Sequence, residues 1–138
     1  MSFVGEFRWP IRVYYEDTDA GGVVYYANYL KFMERARSEM LRQRGWELDR
    51  LEQEEGILFA VSRATIEYRQ PARFNDALIV SSQITRLARA FIDFQQAIYR
   101  NQSGELLCEG QVRVACVSAA KFKPCPIPKH IRETILER

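Results

Sequence analysis

A change of hydrophobic period in the first half of this chain limits its fold more than any other feature. From Asn28 to Arg44 apolar groups recur at helical spacing: Leu30, Met33, the stem of Arg37, Met40 and Leu41 define one side, while Lys31, Arg35, Glu39 and Arg42 lie mainly elsewhere. Gly45 supplies a C-terminal stop, and Arg42 and Arg44 suit the negative end of the helix dipole. An acidic connector, Trp46 to Gly56, follows, with room for a short helical turn. The period then falls to two. Ala64, Ile66 and Tyr68 share one face; so do Leu78, Val80 and Ile84, then Ile92, Phe94 and Ile98, then Leu106, Cys108, Val112 and Val114.

Punctuation between these runs gives the topology. Phe7 to Tyr15 reads as a first strand whose Pro10, lacking an N–H, suits a sheet edge. Pro71 to Asp76 turns the chain, Asn101 to Gly104 is a hairpin signal, and Arg86 to Ala90 is a weaker one. Pro124, Pro126 and Pro128 end the sheet ahead of a short terminal helix from about Lys129 to Leu136. Strand, helix, then four antiparallel strands predicts an α+β domain in which one long helix covers one face of a curved sheet of about five strands. Val61, Ile79, Phe91, Leu107, Ala115 and Val117, on the opposite face, are more apolar than a free surface requires. Pairing with a second copy would explain them, and so would scattered surface apolarity.

Size and charge exclude several classes. A chain of 138 residues, 47% hydrophobic, fits a single domain over 1–138. A net charge of +2 spread along the sequence leaves no arm for nucleic acid. Met1 to Pro10 carries Glu6 and lacks the apolar run of a signal peptide, and no stretch is apolar enough for a membrane span, so a cytoplasmic location is expected. Cys108, Cys116 and Cys125 have no CxxC spacing and read as small packing groups, and a single His130 offers no metal cluster.

Chemistry concentrates in the stretch from Tyr14 to Tyr29, YYEDTDAGGVVYYANY. Asp17 and Asp19, two apart, share one side of an extended segment, opposite Glu16 and Thr18. Paired carboxylates can bind a metal or divide into acid and base, but this loop offers too few oxygen ligands for calcium. Gly21 and Gly22 can bring backbone amides close to a ligand, and they lead into a helix whose first amides have no internal acceptor. An acid beside free amides points to acyl chemistry. The same residues also suit Asx turns and a helix cap, and spacing alone leaves both readings open.

The segment YYEDTDAGGVVYYANYLKFMERAR resembles the signature of the hotdog-fold acyl-CoA thioesterases related to 4-hydroxybenzoyl-CoA thioesterase. Within that family it is most similar to the small bacterial subfamily encoded alongside the Tol-Pal envelope machinery. RATIEYRQPARFND resembles the family's next strand and turn, and GELLCEGQVRVACV its last strand, so the likeness covers nearly the whole chain. The resemblance implies a helix wrapped by a strongly curved sheet, assembly as a homodimer or homotetramer, active sites at the dimer interface, acyl-CoA substrates, and neither metal nor bound cofactor. It places the catalytic carboxylate on Asp19 and the carbonyl-polarising amide at Val23 or Val24, with Gly22 beside the substrate. Relatives carry His where this chain has Tyr26; a phenol is a poor base at neutral pH but donates a hydrogen bond, so Tyr26 is expected to bond or pack in the acyl pocket.

Other expectations follow. Asp17 and Thr18 would organise the loop, and Asn28 would cap the helix or hold the loop against the substrate. Glu34 is either a pocket residue or a solvated carboxylate beside Lys31 or Arg37. Arg86, Arg89, Lys121 and Lys123 are expected, as a set, to meet coenzyme phosphates. The alternative function is a non-catalytic protein that holds acyl-CoA or acyl carrier protein and contacts phospholipid-synthesis enzymes at the inner membrane face. Hydratase chemistry is disfavoured because His130 lies in the tail, far from the acidic loop.

Overall fold

A computed structural model describes residues 5–136. In chain order, β1 (Phe7–Arg12) leads through a 3-10 turn (Tyr15–Asp17) to α1 (Asn28–Gln43), then α2 (Leu48–Arg50), which continues as a π-helical turn (Leu51–Glu55). Strands β2 (Ile57–Tyr68), β3 (Ala77–Leu87), β4 (Phe91–Arg100) and β5 (Leu106–Ser118) follow, and α3 (Lys129–Ile135) completes the order. The five strands form one antiparallel sheet in the order β1-β3-β4-β5-β2, with α1 packed against it in the hotdog arrangement. No helix among the described residues is long and apolar enough to cross a membrane.

The buried face of α1 is Tyr29, Phe32, Met33, Ala36, Arg37, Met40 and Leu41. Burying a side chain such as Phe32 or Met33 contributes about 1.5–3 kcal/mol. The core falls into two apolar clusters. One gathers Tyr29, Phe32, Met33 and Ala36 with Val13, Val24, Ala72, Val80 and Ile98; the other gathers Met40 with Ile84, Ile92, Phe94, Val112 and α3. A polar belt lies between them, because Gln96 falls between Phe94 and Ile98 on β4, Ser82 between Val80 and Ile84 on β3, and Arg37 between Ala36 and Met40 on α1. Arg37 Nη1 donates to Gln96 Oε1 at 2.9 Å, and Gln96 Nε2 donates to Ser82 Oγ at 2.8 Å and to the Met33 carbonyl at 3.0 Å. All three side chains are buried and paired, as an interior demands of polar groups.

Several expectations need correcting. The first strand ends at Arg12 rather than Tyr15, because Val13 leaves the ladder: its N–H donates to the Asp76 carbonyl and its carbonyl accepts from Asn75. Leu30 is 41% exposed and lies off the packed face, which Tyr29 and Phe32 occupy instead. Leu107 is not on the outer face. Ile98 pairs with Cys108 but Tyr99 pairs with Leu106, so a bulge breaks the alternation and buries Leu107 and Cys108 together. Val117 is buried as well. Ala64 and Tyr68 share a face as expected but stay exposed, because β2 is a sheet edge. Pro10 does sit on an edge strand, opposite Ile79.

The cysteines pack as small apolar groups. Cys108 and Cys116 are buried, and desolvation pushes each thiol up to about 12. Cys116 Sγ lies 3.7 Å from Cys125 Sγ. His130 faces Glu55 at 3.0 Å and rests on Trp46, whose Nε1 donates to Thr134 Oγ1 and so docks α3.

Candidate active site

The acidic loop runs from the end of β1 to the start of α1, and a second loop, between β2 and β3, holds it in place. Val24 N donates to the Ala72 carbonyl at 2.8 Å, Ala72 N donates to the Tyr29 hydroxyl at 3.0 Å, and Val23 bridges to Arg73. Arg100 braces that second loop from β4, pairing with Asp76 and donating to the Pro71 carbonyl. Sequence reasoning missed these clamps. Tyr29 was hidden in a run of tyrosines, and nothing in Ala72 or Arg100 marks a partner so distant in the chain.

Within the loop the two aspartates diverge. Asp17 is 8% exposed; its Oδ2 accepts from Tyr14 N at 2.8 Å, and its carbonyl accepts from Tyr25 N and from Asn28 Nδ2, each at 2.9 Å. Asp19 is exposed. Its Oδ1 accepts from Gly21 N at 2.8 Å, forming an Asx turn that leaves Oδ2 open, and its carbonyl accepts from Gly22 N at 3.0 Å. Gly22 has φ +79°, a left-handed conformation that favours glycine, and this lets the chain reverse so that Asp19 N can reach the Val23 carbonyl at 2.9 Å.

Helix α1 opens at the end of this loop. Its N-cap, Ala27, makes no side-chain capping bond, and Asn28, the first helical residue, spends its side-chain amide on Asp17. Asn28 therefore holds the loop and does not cap the helix. Among the described residues, the N–H groups of Val23, Tyr26 and Ala27 have no protein acceptor. Of the two amides expected to polarise a carbonyl, that of Val24 is consumed by Ala72, and Val24 itself is 4% exposed. The free donors of the loop are thus the N–H groups of Val23 and, just ahead of α1, of Tyr26 and Ala27, where the helix dipole also favours negative charge.

Aromatic side chains border the opening. Tyr26 is 60% exposed, lies 4.8 Å from the Tyr25 ring and meets Tyr68 edge-on, while the Tyr68 hydroxyl donates to the Tyr26 carbonyl at 3.3 Å. The Tyr25 phenol is raised above its ordinary value chiefly by its hydrogen bond to Tyr26, and those of Tyr29 and Tyr68 chiefly by burial. All three stay protonated at neutral pH, so none serves as a base.

The remaining candidates do not join this site within one chain. Arg86 and Arg89 stand at the far end of β3, and Lys121 and Lys123 in the turn after β5. Asp19 stands at the other end of the sheet, and the 11 residues of β3 separate the two ends by roughly 30 Å. The Arg86 guanidinium packs over the Phe91 ring at 5.1 Å. Glu34 is exposed, accepts from Ser38 Oγ at 3.3 Å, and forms part of the wall of a cleft between α1 and the sheet that Arg37 also lines.

Comparisons with known proteins bear on the family and the fold. The family model of the thioesterase-like superfamily matches residues 13–135. The chain is 48% identical over 125 residues to the Escherichia coli acyl-CoA thioester hydrolase YbgC, covering 91% of this chain and 92% of that protein. It is 35% identical over 131 residues to the Helicobacter pylori acyl-CoA thioesterase YbgC, covering 90% and 96%. Among solved structures, Slr0204, a 1,4-dihydroxy-2-naphthoyl-CoA thioesterase from Synechocystis, superposes with a TM-score of 0.88 at 26% identity over 95% of this chain and 96% of that one. A probable thioesterase from Bartonella henselae gives a TM-score of 0.83 at 34% identity, covering 92% and 100%.

Proposed function

The chain belongs to the thioesterase-like superfamily, and we propose that it is an acyl-coenzyme A thioesterase, hydrolysing the thioester to the free acid and coenzyme A. The observation that carries this reading is the exposed Asp19 carboxylate, aimed by the Gly21 N–H in a loop that also holds the unsatisfied amides of Val23 and, just ahead of α1, of Tyr26 and Ala27. A thioester carbonyl bound to those amides gains stabilisation as its oxygen becomes negative, because the donors are fixed before the reaction begins.

In the direct route Asp19 removes a proton from water while the hydroxide attacks the carbonyl carbon. The tetrahedral oxyanion forms on the amides, collapses with cleavage of the carbon–sulfur bond, and the coenzyme thiolate takes the proton from Asp19. In the covalent route an Asp19 oxygen attacks, the thiolate leaves, and water cleaves the mixed anhydride to regenerate the carboxylate. In single turnover in isotopically labelled water, label in Asp19 identifies the covalent route with water attacking the Asp19 carbonyl of the anhydride, an outcome the direct route cannot give. Asp17 holds the loop, and Tyr26 lines the opening as a donor.

A second copy would complete the site. Of the two sheet edges, β1 is blunted by Pro10, whereas β2 is long and carries Val61 at 53% and Tyr68 at 48% exposure. Antiparallel pairing of two β2 edges would set the Tyr68 end of one copy, beside Asp19, against the Ile57 end of the other. Lys121 and Lys123, on the turn after the neighbouring strand β5, would then approach the partner's thioester site. Arg86 and Arg89 are three strands from that edge, about 14 Å, and less well placed. The test is thiol release from a panel of acyl-CoAs by the wild-type protein and Asp19→Ala. Turnover that disappears in Asp19→Ala is expected; wild-type protein that binds acyl-CoA without turning it over would favour the non-catalytic holder instead.

A further inference from the structure

The cleft between the C-terminal half of α1 and strands β2, β4 and β5 has a volume of about 90 Å³. Its walls are largely apolar, including Leu41, Phe59, Ile92 and Val114, and two ionisable groups, Arg37 and Glu34, open onto it. Arg37 is only 9% exposed, and a guanidinium carries five N–H donors. One nitrogen is used, Nη1 on Gln96. Among the described residues no carboxylate pairs with it, and no fully buried side-chain nitrogen lacks a partner, so its unpaired N–H groups are those that reach the cleft surface. Burial pulls the Arg37 guanidinium below its ordinary value while the charge of Glu34, one turn earlier on α1, pulls it back up.

An apolar cleft whose α1 wall carries a desolvated donor and, one helical turn away, a carboxylate discriminates sharply between ligands. A plain alkyl end would cover the Arg37 donors and leave them unpaired, which costs more than its own burial gains. A second carboxylate would satisfy Arg37 but meet Glu34 with like charge. A hydroxyl does both jobs, accepting from Arg37 and donating to Glu34. The cleft also lies about 13 Å along the helix from its first turn, so it suits the end of an acyl group remote from the thioester.

We infer that this cleft binds the far end of the acyl group and selects acyl chains carrying a hydroxyl there, with Arg37 the donor and Glu34 the acceptor. The inference rests on the acyl-CoA reading of the site. It assigns Arg37 a specificity role within a belt that otherwise serves the core.

The test uses matched alkanoyl, ω-hydroxyalkanoyl and ω-carboxyalkanoyl chains, from hexanoyl to decanoyl. These are assayed as CoA thioesters for kcat/KM, and as non-hydrolysable CoA thioethers for equilibrium binding. The wild-type protein is expected to prefer the hydroxylated chain over its plain counterpart by about 10-fold or more, the scale of a hydrogen bond to a charged group. Arg37→Met should abolish that ratio. Glu34→Gln, at an exposed position that leaves the core intact, should move the preference towards the carboxylated chain. A wild-type ratio near one in both assays overturns the inference, as does a Glu34→Gln protein with unchanged preference, even if Arg37→Met fails to fold. Discrimination among the thioethers without turnover of any thioester would uphold the cleft and overturn the hydrolase reading.

Discussion

Two arms of one short loop contrast. On the Tyr14–Thr18 arm Asp17 is buried, its carboxylate takes the Tyr14 N–H, and its carbonyl gathers Tyr25 and Asn28. On the Asp19–Val23 arm Asp19 is exposed, and its carboxylate takes only the Gly21 N–H, two residues on. The residue type is the same and the positions are two apart, yet one acid is committed to structure and the other is left for chemistry. What separates them is the source of the partners. Those of Asp17 come from both sides of the loop and seal it inside, whereas that of Asp19 comes from its own turn and leaves an oxygen facing solvent.

The largest effect expected from this contrast is on catalysis. Asp19→Ala should lower kcat by about 10²–10⁴-fold, the usual contribution of a positioned base or more, while the urea midpoint stays close to wild type. Steady-state thiol release and equilibrium unfolding on the same preparation measure both. A large loss of stability in Asp19→Ala would erase the distinction between the arms.

The loop was legible as a site because acids, glycines and a helix start coincide there, and the resemblance singled out Asp19. The fold was legible where one periodicity ruled: Asn28–Gln43 is a helix as expected, and the strands fall close to their periodic runs. Legibility failed wherever a side chain's role depends on contacts remote in sequence. The bulge that buries Leu107 has no local signal, since it is set by the register against β4. Val24 looked available until Ala72, 48 residues away, took its amide. Arg37 looked like a helix stem on the apolar side, and nothing local marked Gln96 as its partner.

Next in size is the effect of removing the other acid. Asp17→Ala leaves the Tyr14 N–H without its charged acceptor in a part-buried turn, and should cost about 1–3 kcal/mol in equilibrium unfolding. Activity should fall with it only as far as the loop loosens, so saturating substrate should restore much of the rate. Unchanged stability would mean that the Ala72 and Tyr29 clamps alone suffice to hold the loop.

Gly22→Ala probes the open arm without touching either carboxylate. Nothing lies within 4 Å of the added methyl, so the cost is that of the left-handed φ alone, about 1 kcal/mol. Because Gly22 N donates to the Asp19 carbonyl, strain there should appear in kcat more than in KM. A fall confined to KM would indicate that the turn contacts substrate but does not aim the acid.

A third acid tests whether partner type decides an acid's role throughout the molecule. Asp93, on the outer face of the sheet, accepts two bonds from Arg113 at 2.8 and 3.0 Å, and that guanidinium holds its carboxyl below the ordinary value. A depressed carboxylate contributes stability that is present above its unfolded value, about 3.9, and is lost as pH falls through the lower folded one. The pair is partly exposed and screened, so Asp93→Asn should cost less than about 1 kcal/mol at neutral pH. Unfolding curves of wild type and variant should converge as the medium becomes more acidic than the ordinary carboxylate range. A gap that persists undiminished in strong acid would show that Asp93 is held by shape and not by charge, which would place it with Asp17 as a structural acid.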